Sequence, residues 1–279
     1  MIDLHLHSIF SDGTNTPEEL IELASAAGLY AAALTDHDTT AGQKRFAAAA
    51  QRVSIKTVTG IELSADFGAV PLHILGYDFE LQNAELQTAL EFICIARAER
   101  NEQILSNLNR LGYELTMSDM QKLAGDKMIG RPHFAAALVN AGHFKTIKKV
   151  FMQLLGKGRA AYAERQRFPP EQCIELIRNA GGFPVIAHPG QMDISSGALR
   201  RLIERLLPHG LAGLEVWHAS HKESQSAAFL QLSKKYNLIA TGGSDFHGKH
   251  TPYIKIGTGY GTLSVPDEIF SLFSHRSKV

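Results

Sequence analysis

The sequence predicts an α/β fold: a parallel, barrel-like sheet interrupted by an all-helical insertion. Short apolar strands alternate with helices in residues 1–78 and again in residues 166–279. Histidine or carboxylate side chains stand where these strands end, which is where α/β barrels place their sites. Residues 79–165 show only the helical spacing of apolar residues. We therefore expect a barrel in two parts, residues 1–78 and 166–279, with an insertion over residues 79–165.

The first strand carries a pair of histidines. Alternation along a strand places His5 and His7 on the same face, and two neighbouring imidazoles suit a transition metal. Asp12 follows in a glycine-containing loop, and a helix over residues 17–27 comes next, with a threonine cap and a proline in its first turn. Taken alone, the pair has an alternative interpretation as two histidines on an exposed strand.

The next three strands each bring one more residue of a metal-binding type. Strand 30–35 leads to His37, strand 55–61 ends at Glu62, and strand 70–77 carries His73. An alanine-rich helix over residues 42–52 lies between the first two of these strands. Repeated strand and helix units favour a parallel sheet whose strand ends share one rim.

The sequence of the insertion predicts a series of helices and no strand. Apolar residues recur at helical spacing over residues 83–110, and Thr116 begins a capping box for a short helix. A third helix begins around Arg131 and Pro132, and a fourth covers residues 146–155. The segment is therefore expected to form a helical unit of its own.

The α/β pattern then resumes and supplies further polar residues at strand ends. We expect helices over residues 170–180, 197–207 and 223–236, strands over 184–187, 211–217 and 238–241, and a tail over 254–279 that adds a strand and a closing helix. His188 follows the first of these strands, His218 and His221 follow the second, and Asp245 and His247 follow the third.

Composition excludes several classes of protein. The 279 residues are 44% hydrophobic, which allows a sizeable core, and the net charge is zero. Residues 1–96 contain 4 Lys/Arg and 13 Asp/Glu, whereas residues 97–178 contain 14 and 8, so cations suit the first section and an anionic substrate the second. Solvated helix faces of different sign are the alternative. Cys94 and Cys173 are expected to be buried thiols, and no leader or membrane span is expected, which predicts a cytoplasmic protein without an evident protein partner.

Nine residues of metal-ligand type gather at the predicted strand ends. They are His5, His7, Asp12, His37, Glu62, His73, His188, Asp245 and His247. Any one of them is more often a structural residue than a ligand, but nine on one rim exceed what a single ion uses. We therefore expect two or three divalent ions. The expected metal is manganese, with iron or zinc as alternatives.

These motifs, in this order, resemble the PHP (polymerase and histidinol phosphatase) family. The matching motifs are Asp-x-His-x-His-Ser with Ser-Asp-Gly, Thr-Asp-His-Asp, Gly-Ile-Glu, His73, Ala-His-Pro and Gly-Ser-Asp-x-His. The resemblance implies a distorted (β/α)7 barrel that hydrolyses phosphate esters at three metals. Carried onto this chain, it gives one metal to His5, His7, Glu62 and Asp245, a second to Glu62, His73 and His188, and a third to Asp12, His37 and His247.

The insertion resembles that of the stand-alone PHP phosphoesterases. The residues that carry this shorter match are Ile129 to Ala135, Gly156-Lys157-Gly158 and Tyr162. These enzymes remove a phosphate from nucleoside 3′,5′-bisphosphates and trim RNA from its 5′ end. The resemblance implies a small nucleotide substrate or short RNA. A phosphatase for another small ester, such as histidinol phosphate, and a non-enzymatic metal-binding or protein-interaction module are the alternatives.

Clustered divalent ions would generate hydroxide from a bridging water and stabilise the leaving alkoxide, which makes Glu62 and Asp245 catalytic candidates. A guanidinium binds phosphate in a bidentate way, so Arg131 is expected to act in catalysis and substrate binding. His218 is expected to contact phosphate or to protonate the leaving oxygen. The remaining candidates for contact with substrate are Ser8, Asn15, His133, Lys157 and His221.

Overall fold

The computed structural model describes residues 1–68, 70–125 and 128–273. The chain divides into two compact units. Unit 1 contains Met1–Ala89 together with the chain from Arg167 onward, and unit 2 contains Leu90–Gln166. Each unit has its own hydrophobic core.

In the described residues, eight short strands form two sheets, and all eight lie in unit 1. They are β1 Ile2–Leu6, β2 Ala31–Leu34, β3 Lys56–Val58, β4 Gly60–Ala65, β5 Leu72–Tyr77, β6 Phe183–Ile186, β7 Gly213–His218 and β8 Ile239–Gly243. Strands β1, β2 and β3 form a parallel three-stranded sheet, and β4 to β8 form a five-stranded sheet in sequence order. Most of their side chains are buried, as is typical of sheets covered by helices.

The expectation that β5 lies parallel to its neighbours is wrong. β5 runs antiparallel to both β4 and β6. Among the residues described between β4 and β5 there is no helix. A parallel pair needs a crossover of a dozen or more residues, so the short connection after Ala65 forces a hairpin.

The single strand expected over residues 55–61 is in fact two strands that belong to different sheets. β3 ends at Val58 and pairs with β2, whereas β4 begins at Gly60 and pairs with β5. A Cβ atom at Gly60 would lie 2.4 Å from the carbonyl oxygen of Leu34, so this close crossing requires glycine. Glu62 consequently lies within β4 and not at the end of a strand.

The two sheets meet at isolated bridges. Leu6 of β1 pairs with Phe246 after β8, and His37 after β2 pairs with Glu62 of β4. In the described ranges the regular ladders do not continue through these two joints, so the closed (β/α)7 barrel remains a prediction.

Nine helices connect or follow the described strands. They are α1 Pro17–Ala26, α2 Gln43–Ala50, α3 Ala84–Arg110, α4 Met117–Ala124, α5 Arg131–Asn140, α6 Ile147–Val150, α7 Pro170–Asn179, α8 Ser196–Leu206 and α9 Glu223–Tyr236. The expected cap of α1 is present, because the Thr16 hydroxyl accepts from the Glu19 N–H and the Glu19 carboxylate accepts from the Thr16 N–H. Apolar residues of α1 and α2, including Leu20 and Phe46, pack under β1 and β2.

In the described residues of unit 2, helices joined by turns and loops are present and no strand is. α4 has the predicted capping box at Thr116, and α6 continues as a π-helical turn over Phe151–Leu155. Leu108, Phe134 and Leu155 are fully buried in its core. The domain boundaries expected from the sequence remain predictions.

The tail and one cysteine differ from expectation. The described residues 254–273 contain a bridge between Lys255 and Gly259 and a 3₁₀ helix over Asp267–Leu272, but no strand. The end of the expected closing helix, residues 274–279, lies outside the described residues. Cys94 is exposed on α3, whereas Cys173 is buried. Across the described ranges, no helix has both the length and the apolarity needed to cross a membrane.

Candidate metal centre

All nine expected ligand residues lie in unit 1, and the Glu62 carboxylate stands at their centre. Glu62 is 1% exposed, and its Oε1 atom lies 2.8 Å from His73 Nδ1 and 2.9 Å from His188 Nε2. Its Oε2 atom faces three further imidazole nitrogens, His37 Nδ1 at 3.0 Å, His7 Nε2 at 3.2 Å and His5 Nε2 at 3.3 Å. One carboxylate therefore faces two groups of histidines.

Asp245, which follows β8, contacts the same group of histidines. Its Oδ1 atom lies 3.2 Å from His7 Nε2 and 3.4 Å from His5 Nε2, and its Oδ2 atom lies 3.3 Å from His218 Nε2. The Asp245 backbone has φ 57°, a left-handed conformation in which aspartate is one of the tolerated residues. Its N–H donates to the carbonyl of His5 at 2.9 Å, which fixes the position of this turn.

Asp12 forms the outer part of the cluster. Its Oδ1 atom lies 3.1 Å from His247 Nε2, and its Oδ2 atom lies 3.7 Å from His37 Nε2. Its side chain is 53% exposed, whereas His7 beside it is fully buried. The cluster therefore extends from a buried interior to an accessible edge.

His73 reaches this rim because β5 is antiparallel. It is the second residue of β5, whose amino end lies beside the carboxyl ends of the parallel strands. Ala187, just beyond β6, donates its N–H to the His73 carbonyl, which holds the two strand ends together. The reversal of this strand thus keeps His73 within the cluster.

The donor set fits divalent cations. Five buried atoms of the expected ligands make no hydrogen bond within the described part of the chain: His5 Nε2, His7 Nε2, His37 Nδ1, Glu62 Oε2 and His188 Nδ1. Buried polar atoms are rarely left without a partner, and imidazole nitrogens with carboxylate oxygens are the ligands of transition metals. Four of the geometric groups that could hold an ion include His5 or Glu62.

The pKa shifts of the cluster residues also fit a cation-binding site. Burial alone would raise the pKa of Glu62, but His37, His73 and His5 hold it well below its ordinary value. Burial alone would lower the pKa of His7, but Asp245 and Glu62 raise it to about 10. The carboxylates of the site therefore stay negatively charged and stabilise positive charge next to them. A site that binds cations needs this property.

Glu215 was not among the site residues predicted from the sequence. This residue of β7 is fully buried, and its Oε1 atom accepts a hydrogen bond from His5 Nδ1 at 2.9 Å. Its Oε2 atom accepts from the His188 N–H at 2.6 Å. The signal was present, because Glu215 is the one charged residue in the otherwise apolar strand expected over residues 211–217.

Three buried aspartates beside the expected ligands were also missed. Asp3 lies two residues before His5, and Asp36 and Asp38 flank His37. All three are at most 3% exposed and accept hydrogen bonds from serines. Their position next to the histidine motifs was the available signal.

Two residues expected to contact substrate have other partners. Ser8 is fully buried, and its hydroxyl donates to Asp36 at 2.6 Å. His221 uses both ring nitrogens: Nδ1 donates to the Val216 carbonyl at 3.0 Å, and Nε2 accepts from the Gly190 N–H at 3.1 Å. Burial lowers the pKa of His221 to about 4. The roles of both residues in substrate binding remain predictions.

His218 and Asn15 lie at or near the cluster. The N–H of Ser220 donates to His218 Nδ1 at 3.1 Å, so in the neutral ring the proton belongs to Nε2, the atom that faces Asp245. Asn15 is half-buried, and its amide lies 3.4 Å from the Glu19 carboxylate. The His218 ring therefore faces the cluster through Nε2.

Arg131, His133 and Lys157 belong to unit 2. The guanidinium of Arg131 lies 5.9 Å from the ring centre of Phe151 and 5.7 Å from that of Tyr162. His133 Nδ1 accepts from the Gly130 N–H at 3.0 Å at the start of α5, and Lys157 is exposed. Their roles in substrate binding remain predictions.

Comparison with known proteins identifies the family. The PHP domain model matches residues 3–181. A 3′,5′-nucleoside bisphosphate phosphatase from Chromobacterium violaceum is 36% identical over 88% of this chain and 87% of its own length. A 5′-3′ exoribonuclease from Haemophilus influenzae is 32% identical over 88% and 89%, respectively. A solved structure from Bifidobacterium adolescentis, named for metal-dependent phosphoesterase activity, has a TM-score of 0.84, 30% identity, and coverage of 98% of this chain and 94% of its own. The chain is a phosphoric ester hydrolase, and it belongs to the PHP domain family.

Proposed function

We propose that this enzyme hydrolyses a nucleoside 3′,5′-bisphosphate and, by the same chemistry, removes nucleotides from the 5′ end of RNA. One water is consumed, the bond between the 3′ oxygen and its phosphorus breaks, and the products are a nucleoside 5′-monophosphate and inorganic phosphate. The names of the relatives from Chromobacterium violaceum and Haemophilus influenzae support this choice of substrates.

The observation that carries the proposal is the set of nine ligand-type side chains around Glu62. His5, His7, Glu62 and Asp245 would hold one ion, His73 and His188 would share Glu62 for a second, and Asp12, His37 and His247 would hold a third. Manganese is the expected metal, with iron or zinc as alternatives. Bound there, divalent ions supply Lewis-acid charge for the phosphate and leaving oxygens and make water a stronger nucleophile.

The protein's own residues then orient the substrate and transfer a proton. His218 carries its proton on Nε2, next to Asp245, and we assign it the role of donor to the leaving 3′ oxygen. Arg131 offers the bidentate guanidinium for a phosphate of the substrate. Asn15, His133 and Lys157 are retained as secondary candidates for contact with the substrate.

A substrate comparison tests the proposal. Purified protein supplied with manganese is assayed on adenosine 3′,5′-bisphosphate, adenosine 5′-monophosphate, histidinol phosphate and a short 5′-phosphorylated RNA. Phosphate release and nucleotide products are followed by chromatography. Adenosine 3′,5′-bisphosphate should give the highest kcat/KM of the small esters, with adenosine 5′-monophosphate as its product. Faster hydrolysis of histidinol phosphate would contradict the nucleotide assignment.

A further inference from the structure

In three places a buried aspartate holds a serine by the same two hydrogen bonds. The serine N–H donates to Oδ1 of the aspartate, and the serine hydroxyl donates to Oδ2. The pairs, with the two distances, are Asp3–Ser244 (2.9 and 2.6 Å), Asp36–Ser8 (2.7 and 2.6 Å) and Asp38–Ser64 (2.9 and 3.0 Å). We call these pairs the Asp–Ser clasps.

Two of the clasps span the joints between the sheets. Asp3 of β1 holds Ser244, which follows β8, and Asp38, which follows β2, holds Ser64 of β4. These are the joints where isolated bridges replace the regular ladder. Side-chain hydrogen bonds therefore connect the sheets at the places where few backbone hydrogen bonds do so.

The third clasp joins two strand ends within the three-stranded sheet. Ser8 follows β1, and Asp36 follows β2. Asp36 also accepts from the Ser11 hydroxyl at 2.6 Å, so it fixes the loop that leads to Asp12. Asp3 likewise accepts from the Gly257 N–H at 2.7 Å.

Each clasp lies next to an expected metal ligand in the sequence. Ser8 follows His7, Ser244 precedes Asp245, and Asp36 and Asp38 flank His37. Asp38 and Asp245 both have φ 57°, and left-handed residues other than glycine persist where their surroundings hold them. The clasps are therefore placed to hold strained turns that carry ligands.

We propose that the Asp–Ser clasps preorganise the metal centre, holding ligands from both sheets in position before an ion binds. The proposal rests on the metal-binding role assigned above to the nine residues. A hydrogen bond to a charged group is short and strong, so a buried carboxylate with two serine donors resists displacement of the attached turn. Without a clasp, ion binding has to order that turn, and metal affinity falls. The clasp residues act through the ligands and are positioning residues.

The test compares serines that differ in location. Ser244→Ala and Ser64→Ala each remove one clasp hydroxyl. Ser233→Ala is the matched control, because Ser233 is 1% exposed and its hydroxyl donates to the Phe229 carbonyl inside α9. Each protein is stripped with a chelator, and Mn²⁺ binding is measured by competition with an indicator of known affinity. Urea unfolding of the metal-free proteins is measured in parallel.

We expect the Mn²⁺ dissociation constants of Ser244→Ala and Ser64→Ala to rise about 10- to 100-fold, the usual cost of losing a partner that orients a ligand. Ser233→Ala should bind Mn²⁺ like the parent, even if it loses equal resistance to urea. Ser64→Thr keeps a hydroxyl at a half-buried position and should restore parental affinity.

Parental Mn²⁺ affinity in both clasp variants would overturn the proposal, as would equal weakening by Ser233→Ala. Should Ser244→Ala fail to fold, the comparison of Ser64→Ala with Ser64→Thr decides alone. A parent protein that binds no Mn²⁺, Fe²⁺ or Zn²⁺ would overturn both the clasps and the metal assignment. A parent that binds metal but does not cleave nucleotides would contradict only the proposed substrate.

Discussion

Glu215 Oε1 lies 2.9 Å from His5 Nδ1, and both side chains are fully buried. Because the carboxylate accepts at Nδ1, the proton of the neutral imidazole is held there and Nε2 is left to face Glu62 and Asp245. The second oxygen of Glu215 accepts from the backbone of His188, whose φ is 24°. One carboxylate therefore orients two expected ligands from different strands.

Glu215→Gln should lower both Mn²⁺ affinity and kcat by about 10- to 100-fold. The amide keeps the shape of the side chain but loses the charge and replaces one acceptor with a donor, so it cannot serve both His5 and the His188 N–H. Metal content, kcat and thermal unfolding are measured together. Glu204→Gln, an exposed change on α8, is the control. Parental metal affinity and kcat in Glu215→Gln would show that His5 is oriented by its packing alone.

Asp245→Asn should abolish turnover while the fold survives. Asp245 faces His5, His7 and His218, and an amide is a poorer metal ligand than a carboxylate. Activity is measured with saturating Mn²⁺, and circular dichroism checks the fold. Asp267→Asn removes an aspartate outside the cluster and should leave activity unchanged. A kcat near that of the parent would remove Asp245 from the set of ligands.

The sequence predicted that the nine residues lie close together, because many of them stand at the ends of parallel strands. Side chains after parallel strands share a rim, and His5, His37, His188 and Asp245 stand in or after such strands. Alternation along β1 adds His7 to the same face. Local patterns thus carry much of the information about the candidate site.

The hydrogen bonds that hold the expected ligands in place could not be predicted in the same way, because the two residues of each bond are distant in the sequence. Asp3 and Ser244 are separated by 241 residues, and His5 and Glu215 by 210. The direction of β5 was missed for a related reason: the apolar run around His73 reads the same in a parallel or an antiparallel strand. Only the short connection between β4 and β5, which leaves no room for a helix, indicates the hairpin.

His221 should make stability sensitive to acid. Its pKa is lowered to about 4 in the fold, chiefly by burial, whereas the unfolded chain binds a proton at about 6.5. The stability that depends on neutral His221 is therefore complete above pH 6.5 and is lost as the pH falls from about 6.5 toward 4.

His221→Gln removes this titration. At pH 7.5 the variant should be less stable than the parent, because it loses hydrogen bonds to Val216 and Gly190. At pH 5 the difference in the free energy of unfolding should be smaller. Urea unfolding of both metal-free proteins at the two pH values measures it. A difference that is constant or grows on acidification would contradict a neutral His221.

Arg131 should be required for substrates that carry two phosphates. It begins α5, where the positive end of the helix dipole favours an anion, and it lies in the section of the chain with 14 Lys/Arg and 8 Asp/Glu. The rings of Phe151 and Tyr162 lie 5.9 and 5.7 Å from its guanidinium. Such neighbours restrict the side chain, and a guanidinium held in one orientation loses less freedom when it binds phosphate.

Arg131→Ala should lower kcat/KM for adenosine 3′,5′-bisphosphate by about one to two powers of ten, since hydrogen bonds to charged groups contribute about 1.5–3 kcal/mol. Metal content should not change, because a guanidinium is not a ligand. Arg131→Lys keeps the charge but loses the planar fork, so it should recover only part of the activity. The three proteins are compared on the bisphosphate and on an aryl phosphate, which has one phosphate and should be affected less. If Arg131→Ala hydrolyses both esters as well as the parent does, Arg131 makes no contact with the substrate, and the preference for a bisphosphate must come from other residues.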